Sequence, residues 1–461
     1  VKAVGHGKNG EDCRALIKGD AIKVEAIRKA AVLEDCVPVF QDLSKDEQDS
    51  VRLLAVASAG SLARSLGMDS TLNADLVLPI VMSGCIDLSW RVRHNLAKEF
   101  SIVASSLGFH YEPPSRNLTE VFLCYSGLLQ DTEAEVRSAA VGNVALMTLL
   151  GGSDLFVSHV APTLPALAAD NVMEVRSRLA QTMMDCCGLD NEETASLSDS
   201  VILQVFKPLL EGFLNDEFAE VQLHVLSKLS RVSHLLSKMD VVVSSILQMT
   251  KAPNWRVREA VGHLLPHLAE AMGVSFFKDH LLEPWLKLLL DQVADVRTAC
   301  VTGMSKLYHV AGAQWIQTEI LPHYRKIYED GNQYNYLTRI TVLRCYANLV
   351  VEDKEEASRF SPDFLEDVVG LLLDGLVDRV ANVRMVSARG LARLSAFCEE
   401  GIVEEKVRPA LRVVANDDSD DDCRFFANLA LESYGEETGD VNNKPEMNDL
   451  EKRMGGVQVN E

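Results

Sequence analysis

Aromatic residues make up only 6% of this chain, and no stretch approaches the roughly 20 uninterrupted apolar residues of a membrane-spanning helix. No CxxC occurs, and no Cys/His cluster has zinc-ligand spacing. No GxSxG, HExxH or phosphate-cradling glycine loop is present, which removes the commonest signatures of an enzyme. Positive charge is also scarce: 45 Lys and Arg face 67 Asp and Glu, for a net −22. A general nucleic-acid binder needs clustered cations to meet phosphates, and no such patch stands out. Such acidity suits a solvated surface or basic protein partners. The first residues, VKAVGHGKNGEDC, contain no apolar signal core, so the expectation is a cytoplasmic location, with the nucleus as a second. The ten cysteines sit mostly in apolar runs such as DCCGL and RTACV, which suits reduced, buried thiols.

What is abundant is Ala, Val and Leu, arranged periodically. Aligned on a Val-Arg pair, the chain shows matches at Val51, Val92, Val136, Val175, Val221, Val257, Val296, Thr338, Val383 and Cys423. Successive spacings are 41, 44, 39, 46, 36, 39, 42, 45 and 40 residues. Arg follows in nine cases; Gln222 is the exception. Five residues upstream, Asp fills eight of ten positions, with Ala252 and Gln333 breaking the column. Proline (Pro79, Pro162, Pro208, Pro284, Pro322, Pro409) opens an apolar run in many units, as suits a first helical turn.

One unit shows the local structure. In NLTEVFLCYSGLLQD, Leu118, Val121, Phe122, Tyr125, Leu128 and Leu129 recur at helical spacing. Val136, Ala140, Val144 and Met147 form a second stripe, stopped by Gly151-Gly152, and Thr132 with Glu135 fits a capping box. A period near 40 with two helices per unit predicts an all-α solenoid of about ten HEAT-type antiparallel helix pairs, a curved superhelix. Stacking would bring the Asp of one unit to the Arg of its neighbour. The expected ladder comprises Asp46, Arg52, Asp87, Arg93, Asp131, Arg137, Asp170, Arg176, Asp291, Arg297, Asp378 and Arg384. Ten copies of an acid–base pair are not a catalytic site, since catalysis needs one non-repeating cluster.

SKDEQDSVRLLAV, DLSWRVRHNLAKEF, DTEAEVRSAA, APNWRVREAV, GVSFFKDHLL, NYLTRITVL, VANVRMVSARGLARL and EKVRPAL resemble consecutive repeats of the scaffold (A) subunits of type 2A serine/threonine protein phosphatases. The resemblance covers roughly residues 36–434. It departs before DEQDSVR, where Ile27-Arg28 lies 24 residues ahead of Val51-Arg52, too few for a whole unit. Residues 1–35 are therefore expected to be an irregular or truncated start with a poorly buried face, and residues 435–461 a polar, disordered tail.

The resemblance implies a non-catalytic scaffold with no cofactor, metal or small-molecule ligand, and no nucleic-acid or membrane partner. Its C-terminal repeats would hold the phosphatase catalytic subunit through Trp255, Arg256, Val293, Asn335, Tyr336, Val380, Asn382 and Asp421. Its N-terminal repeats would hold an exchangeable regulatory subunit through Glu47, Gln48, Trp90, Arg91, Glu133, Glu135, Asn171 and Met173, completing a heterotrimer. Trp, Tyr and Arg are common interface anchors, although Trp90 and Trp255 also suit plain helix-pair packing. The DDSDDD run at 417–422 suits a solvated turn before a contact. The alternative is a karyopherin-type HEAT carrier of basic cargo; the acidity fits, but the longer repeats with acidic insertions usual in that class are missing.

Overall fold

The computed structural model describes residues 21–109, 116–188, 197–331, 335–349 and 362–435. Among them every regular element is helical, and ten helix pairs follow one another. The chain divides into two compact units, Val1–Val261 and Gly262–Glu461. Among the described residues, each corner joining a first to a second helix falls on the column that carries Asp, broken at Ala252.

The third pair shows why the sequence folds this way. The helix Arg116–Leu129 buries Leu118, Val121, Phe122, Tyr125, Leu128 and Leu129, the whole periodic stripe. The Tyr125 hydroxyl donates to the Ala140 carbonyl (2.8 Å) and so ties the first helix to the second, while its ring stacks on Phe100 of the preceding pair at 5.2 Å. A single pair leaves these faces wet; the stack buries them. The second helix is less regular than its stripe suggests. It breaks between Ala134–Val141 and Val144–Leu155, and Asn143 fills the break. There the Asn143 Oδ1 accepts from the Ser101 amide (3.2 Å) and hydroxyl (2.6 Å), and its Nδ2 donates to the Ala97 carbonyl (2.8 Å). The Thr132/Glu135 capping box does not form: Glu133 is the N-cap, makes no side-chain cap bond, and donates its N–H to Asp131 Oδ1 (2.9 Å).

Pro79 stands in the first turn of Leu78–Cys85 as expected, whereas at six other positions proline plays a different part. The first helices begin upstream of it and pass through a five-residue wide (π) turn: Val32–Cys36, Phe156–Val160, Ile202–Phe206, Phe277–Leu281, Ile316–Ile320 and Val403–Val407. Pro38, Pro162, Pro208, Pro284, Pro322 and Pro409 follow within three residues. Proline has no N–H to give and its ring strikes the carbonyl four residues back. In all six cases that carbonyl lies inside the wide turn, which removes the clash without ending the helix.

One further expectation changes. Residues 21–35, placed in an irregular start, are helical through Ala21–Ala31 and the wide turn that follows. From Ala26 to Cys36 none is buried, and Lys29 pairs with Asp69 of the second helix pair (2.8 Å). Residues 1–20 and 436–461 lie outside the described residues. One helical run, Val144–Ala168, is 25 residues long and holds an 18-residue stretch with a mean hydropathy of 1.5, long and apolar enough by those measures to cross a membrane. It is interrupted by Gly152 (φ 65°) and by the wide turn at Phe156–Val160, and Met147, Phe156 and Leu164 are fully buried in the helix stack.

Candidate functional site

The chemistry of this chain is concentrated at the corners, where each second helix starts with unpaired N–H groups. The column Asp answers the first of these. Its Oδ1 accepts the N–H two residues on at 2.8–2.9 Å: Gln48, Ser89, Glu133, Val172, Phe218, Val293, Val380 and Asp420. Where the column is broken, asparagine takes over two positions later. Asn254 accepts from Arg256 N–H (3.0 Å) and Asn335 from Leu337 N–H (3.0 Å). Gln333 itself lies outside the described residues.

Arginine in the first turn then serves two corners at once. Arg52 donates Nη1 to the carbonyl of Asp46 in its own corner (2.8 Å) and grips Asp87 of the next corner with Nε and Nη2 (2.7 and 2.8 Å). In the unit 1–261 the same forked pair recurs at Arg93–Asp131, Arg137–Asp170 and Arg176–Asp216, with Nε–Oδ2 distances of 2.6–2.7 Å. In the unit 262–461 it recurs at Arg339–Asp378 and Arg384–Asp418, both 2.6 Å. Arg297 donates to the Asp291 and Gln292 carbonyls of its own corner (2.7 and 2.9 Å). Gln222, without a guanidinium, reaches only the Asp216 carbonyl (2.8 Å).

A charged, planar, two-point bond at low exposure is the strong form of such a contact. The Arg52 guanidinium holds Asp87 below the usual carboxylate range. At Asp131 burial pushes the other way, but the Arg93 guanidinium and the Glu133 amide outweigh it and the pKa is lowered. Asp87 and Asp131 therefore stay ionised while each accepts from both an amide and a guanidinium.

The residues expected to meet partners surround this frame, and none of them is buried. Gln48, Glu133, Val293, Asn335 and Val380 are N-caps; Trp90, Met173, Trp255, Tyr336 and Asp421 are the first residues of their second helices. Glu47, Arg91, Glu135, Asn171, Arg256 and Asn382 lie within two residues of these and are exposed. Both tryptophans carry their neighbouring arginine over the ring, Arg91 on Trp90 at 5.3 Å and Arg256 on Trp255 at 4.7 Å. A half-open Trp face with a guanidinium on it presents apolar area and donors together. Two residues missed in the sequence complete the second corner: Ile86 (82% exposed) and Leu88 (99% exposed) flank Asp87 beside Trp90. The signal was present in CIDLSW, where apolar residues alternate with a capping Asp. In the unit 262–461, an open cleft of about 350 Å³ lies under the Val377–Arg379 corner, lined by Arg325, Tyr328, Leu371 and Asp374. Among the described residues no group of three or more His, Cys, Asp or Glu could hold a metal ion. The nine described cysteines are all free, and Cys85, Cys186, Cys300, Cys345 and Cys423 are buried.

Stacked helix pairs with bonded corners define the HEAT-type α-solenoid. No family profile matches the chain. Over 82 residues it is 38% identical to the A-type regulatory subunit of protein phosphatase PP2A from Schizosaccharomyces pombe, covering 18% of this chain and 14% of that protein. It is 24% identical over 285 residues to human serine/threonine-protein phosphatase 4 regulatory subunit 1, covering 58% of this chain and 28% of the relative. It is also 24% identical over 371 residues to the Arabidopsis thaliana protein ILITYHIA, covering 76% and 13%. The chain thus spans between 13% and 28% of the length of these curated relatives. The likeness to the type 2A scaffold extends over far less than residues 36–434 in this comparison. Among solved structures, a Kap95p–RanGDP complex matches with a TM-score of 0.59 at 14% identity, covering 94% of this chain and 55% of that one. Importin beta matches at 0.56 and 11%, covering 89% and 54%. At such identity these structures speak for the fold alone.

Proposed function

We propose that the chain is a non-catalytic scaffold for a serine/threonine phosphatase. Corners in the C-terminal repeats, at Trp255, Arg256, Val293, Asn335, Tyr336, Val380, Asn382 and Asp421, carry the catalytic subunit. Corners in the N-terminal repeats, at Glu47, Gln48, Trp90, Arg91, Glu133, Glu135, Asn171 and Met173, carry an exchangeable regulatory subunit. The observation that carries the reading is the placement of all sixteen side chains at or beside second-helix N-termini with none buried. The two phosphatase-associated relatives, both named as regulatory subunits, support it. The chain contributes no catalytic group. Holding both partners on one chain raises their effective concentration, so that substrate presentation becomes intramolecular.

Binding of a purified type 2A catalytic subunit to the full chain tests this. Trp255→Ala with Tyr336→Ala should keep the helical circular dichroism and weaken binding by about 30-fold or more, as expected for two aromatic anchors. Equal binding by wild type and variant removes these residues from the interface. Capture of a Ran-type GTPase and basic cargo, with no affinity for the phosphatase, would replace the reading with the carrier one.

A further inference from the structure

Four thiols of this chain donate to backbone carbonyls: Cys186 to Thr182 (3.5 Å), Cys187 to Met183 (3.9 Å), Cys300 to Trp285 (4.0 Å) and Cys423 to Ala381 (3.2 Å). A thiol held in this way serves as a small packing side chain. Cys85 and Cys124 are different, because their side chains hydrogen-bond to each other.

The repeat brings these two together. Cys85 is the last residue of the helix Leu78–Cys85, and Cys124 lies within Arg116–Leu129. The two helices belong to successive pairs of the unit 1–261 and pack on one another. Access differs between the sulfurs. Cys85 is buried, whereas Cys124 is half-buried and follows Leu123, which is 55% exposed. A small solute therefore meets Cys124 first and finds Cys85 already bonded to it. The shared hydrogen bond also divides their chemistry. It holds the Cys124 thiol below its ordinary value, against burial and the nearby Glu120 carboxylate. Glu120 is itself paired with Arg116 (3.2 Å). The same bond, together with burial, pushes the Cys85 thiol well up. Cys124 is thus the readier thiolate and Cys85 keeps its proton, the asymmetry of an attacking and a resolving thiol.

We infer that Cys85 and Cys124 form a reversible oxidation site, closed by hydrogen peroxide into a disulfide that joins the second and third helix pairs. The Cys124 thiolate attacks one peroxide oxygen; an S–O bond forms, the O–O bond breaks, and the departing oxygen leaves as water after taking a proton. The Cys85 sulfur then attacks the Cys124 sulfenic acid. The S–S bond forms, the S–O bond breaks, and the Cys85 proton leaves with the second water. Two thiols lose two electrons, and one peroxide is reduced to two waters. Thiols that share a hydrogen bond are already in contact, so the closure needs local movement rather than a rearrangement. Each repeat touches only its neighbours, and the bond would clamp the residue just before the Ile86–Trp90 corner to the next one. The inference stands independently of the phosphatase reading.

Brief exposure of the reduced full chain to hydrogen peroxide, then alkylation, trypsin digestion and mass spectrometry, tests the site. Peptides 65–91 and 117–137 each hold one cysteine, Cys85 and Cys124 respectively. They should appear joined, and dithiothreitol should release them. Cys124 should react about tenfold faster or more than Cys186, Cys300 and Cys345, whose burial pushes each thiol up. C124S should abolish the joined peptides, and C300S should form them as wild type does. C85S should leave Cys124 as a sulfenic acid that dimedone traps. Unchanged circular dichroism of each variant separates lost reactivity from lost fold, and the wild-type peptide map decides the question without any variant. Oxidised Cys124 with no link to Cys85, or Cys124 reacting no faster than Cys300, overturns the inference.

Discussion

The unit 1–261 carries four consecutive Arg–Asp rungs whose arginines keep 11–18% of their side-chain exposure and whose aspartates keep 7–10%. In the unit 262–461 the Arg339–Asp378 rung has the same geometry with exposures of 1% and 5%. The same two residue types at the same spacing thus sit in different dielectric surroundings. The second helices differ as well: those of the first unit mix Asp49, Glu135, Glu174, Asp185 and Glu220 with their bases, whereas those around Arg344 are almost purely basic. A repeated bond therefore does not have a repeated energy. A rung near water is replaceable by water; a buried one leaves an uncompensated charge when broken.

The largest effect should come from the buried rung. Arg339→Leu strands the Asp378 carboxylate and is expected to cost about 3–5 kcal/mol, while Arg52→Leu, at a wetter rung, should cost about 1 kcal/mol. Urea denaturation of both variants measures the difference; equal losses would show that burial does not distinguish the two regions. Next, Asp131→Asn should cost about 1–3 kcal/mol at neutral pH by weakening one charged bond. The sign of its pH dependence follows from the lowered Asp131 pKa. A depressed carboxylate contributes fully above the unfolded value near 4 and loses that contribution as pH falls through the folded value. Melting temperatures of wild type and variant should therefore converge below about pH 4, and a gap that stays constant would contradict the assignment. The smallest effect is a gain. Gln222→Arg with Ala252→Asp restores the missing rung in the first unit and should add about 0.5–1 kcal/mol. Calorimetry showing a loss instead would mean that the corner at Ala252 rejects a carboxylate.

Much of this was legible in the residues. The Asp and Arg columns located every corner, and the stripe from Leu118 to Leu129 named the buried positions of its helix without error. Other features were not legible, for physical reasons. The wide turns before Pro38, Pro162 and Pro208 keep a helix going through a residue that locally argues for a stop, because tertiary packing outweighs the lost bond. The helix at Ala21–Ala31 lacks a corner of its own, so no column announced it. Asn143 looks like a flaw in an apolar stripe until Ser101 of another repeat is placed against it. The exposure of Ile86 and Leu88 could not be told from their type, since apolar residues beside a corner serve a core or an interface equally well.

By itself the sequence determined the period, the helix pairs and the corners, and that an Asp of one unit meets an Arg of its neighbour. These depend on contacts within a turn or between units offset by one constant spacing. Only the tertiary structure decided how much water each corner keeps and which side chains from other helices meet the exposed arginines. Those depend on side chains brought in from neighbouring helices, such as Thr298 beside Arg344 and Asn348 beside Arg393, and no local pattern encodes that placement.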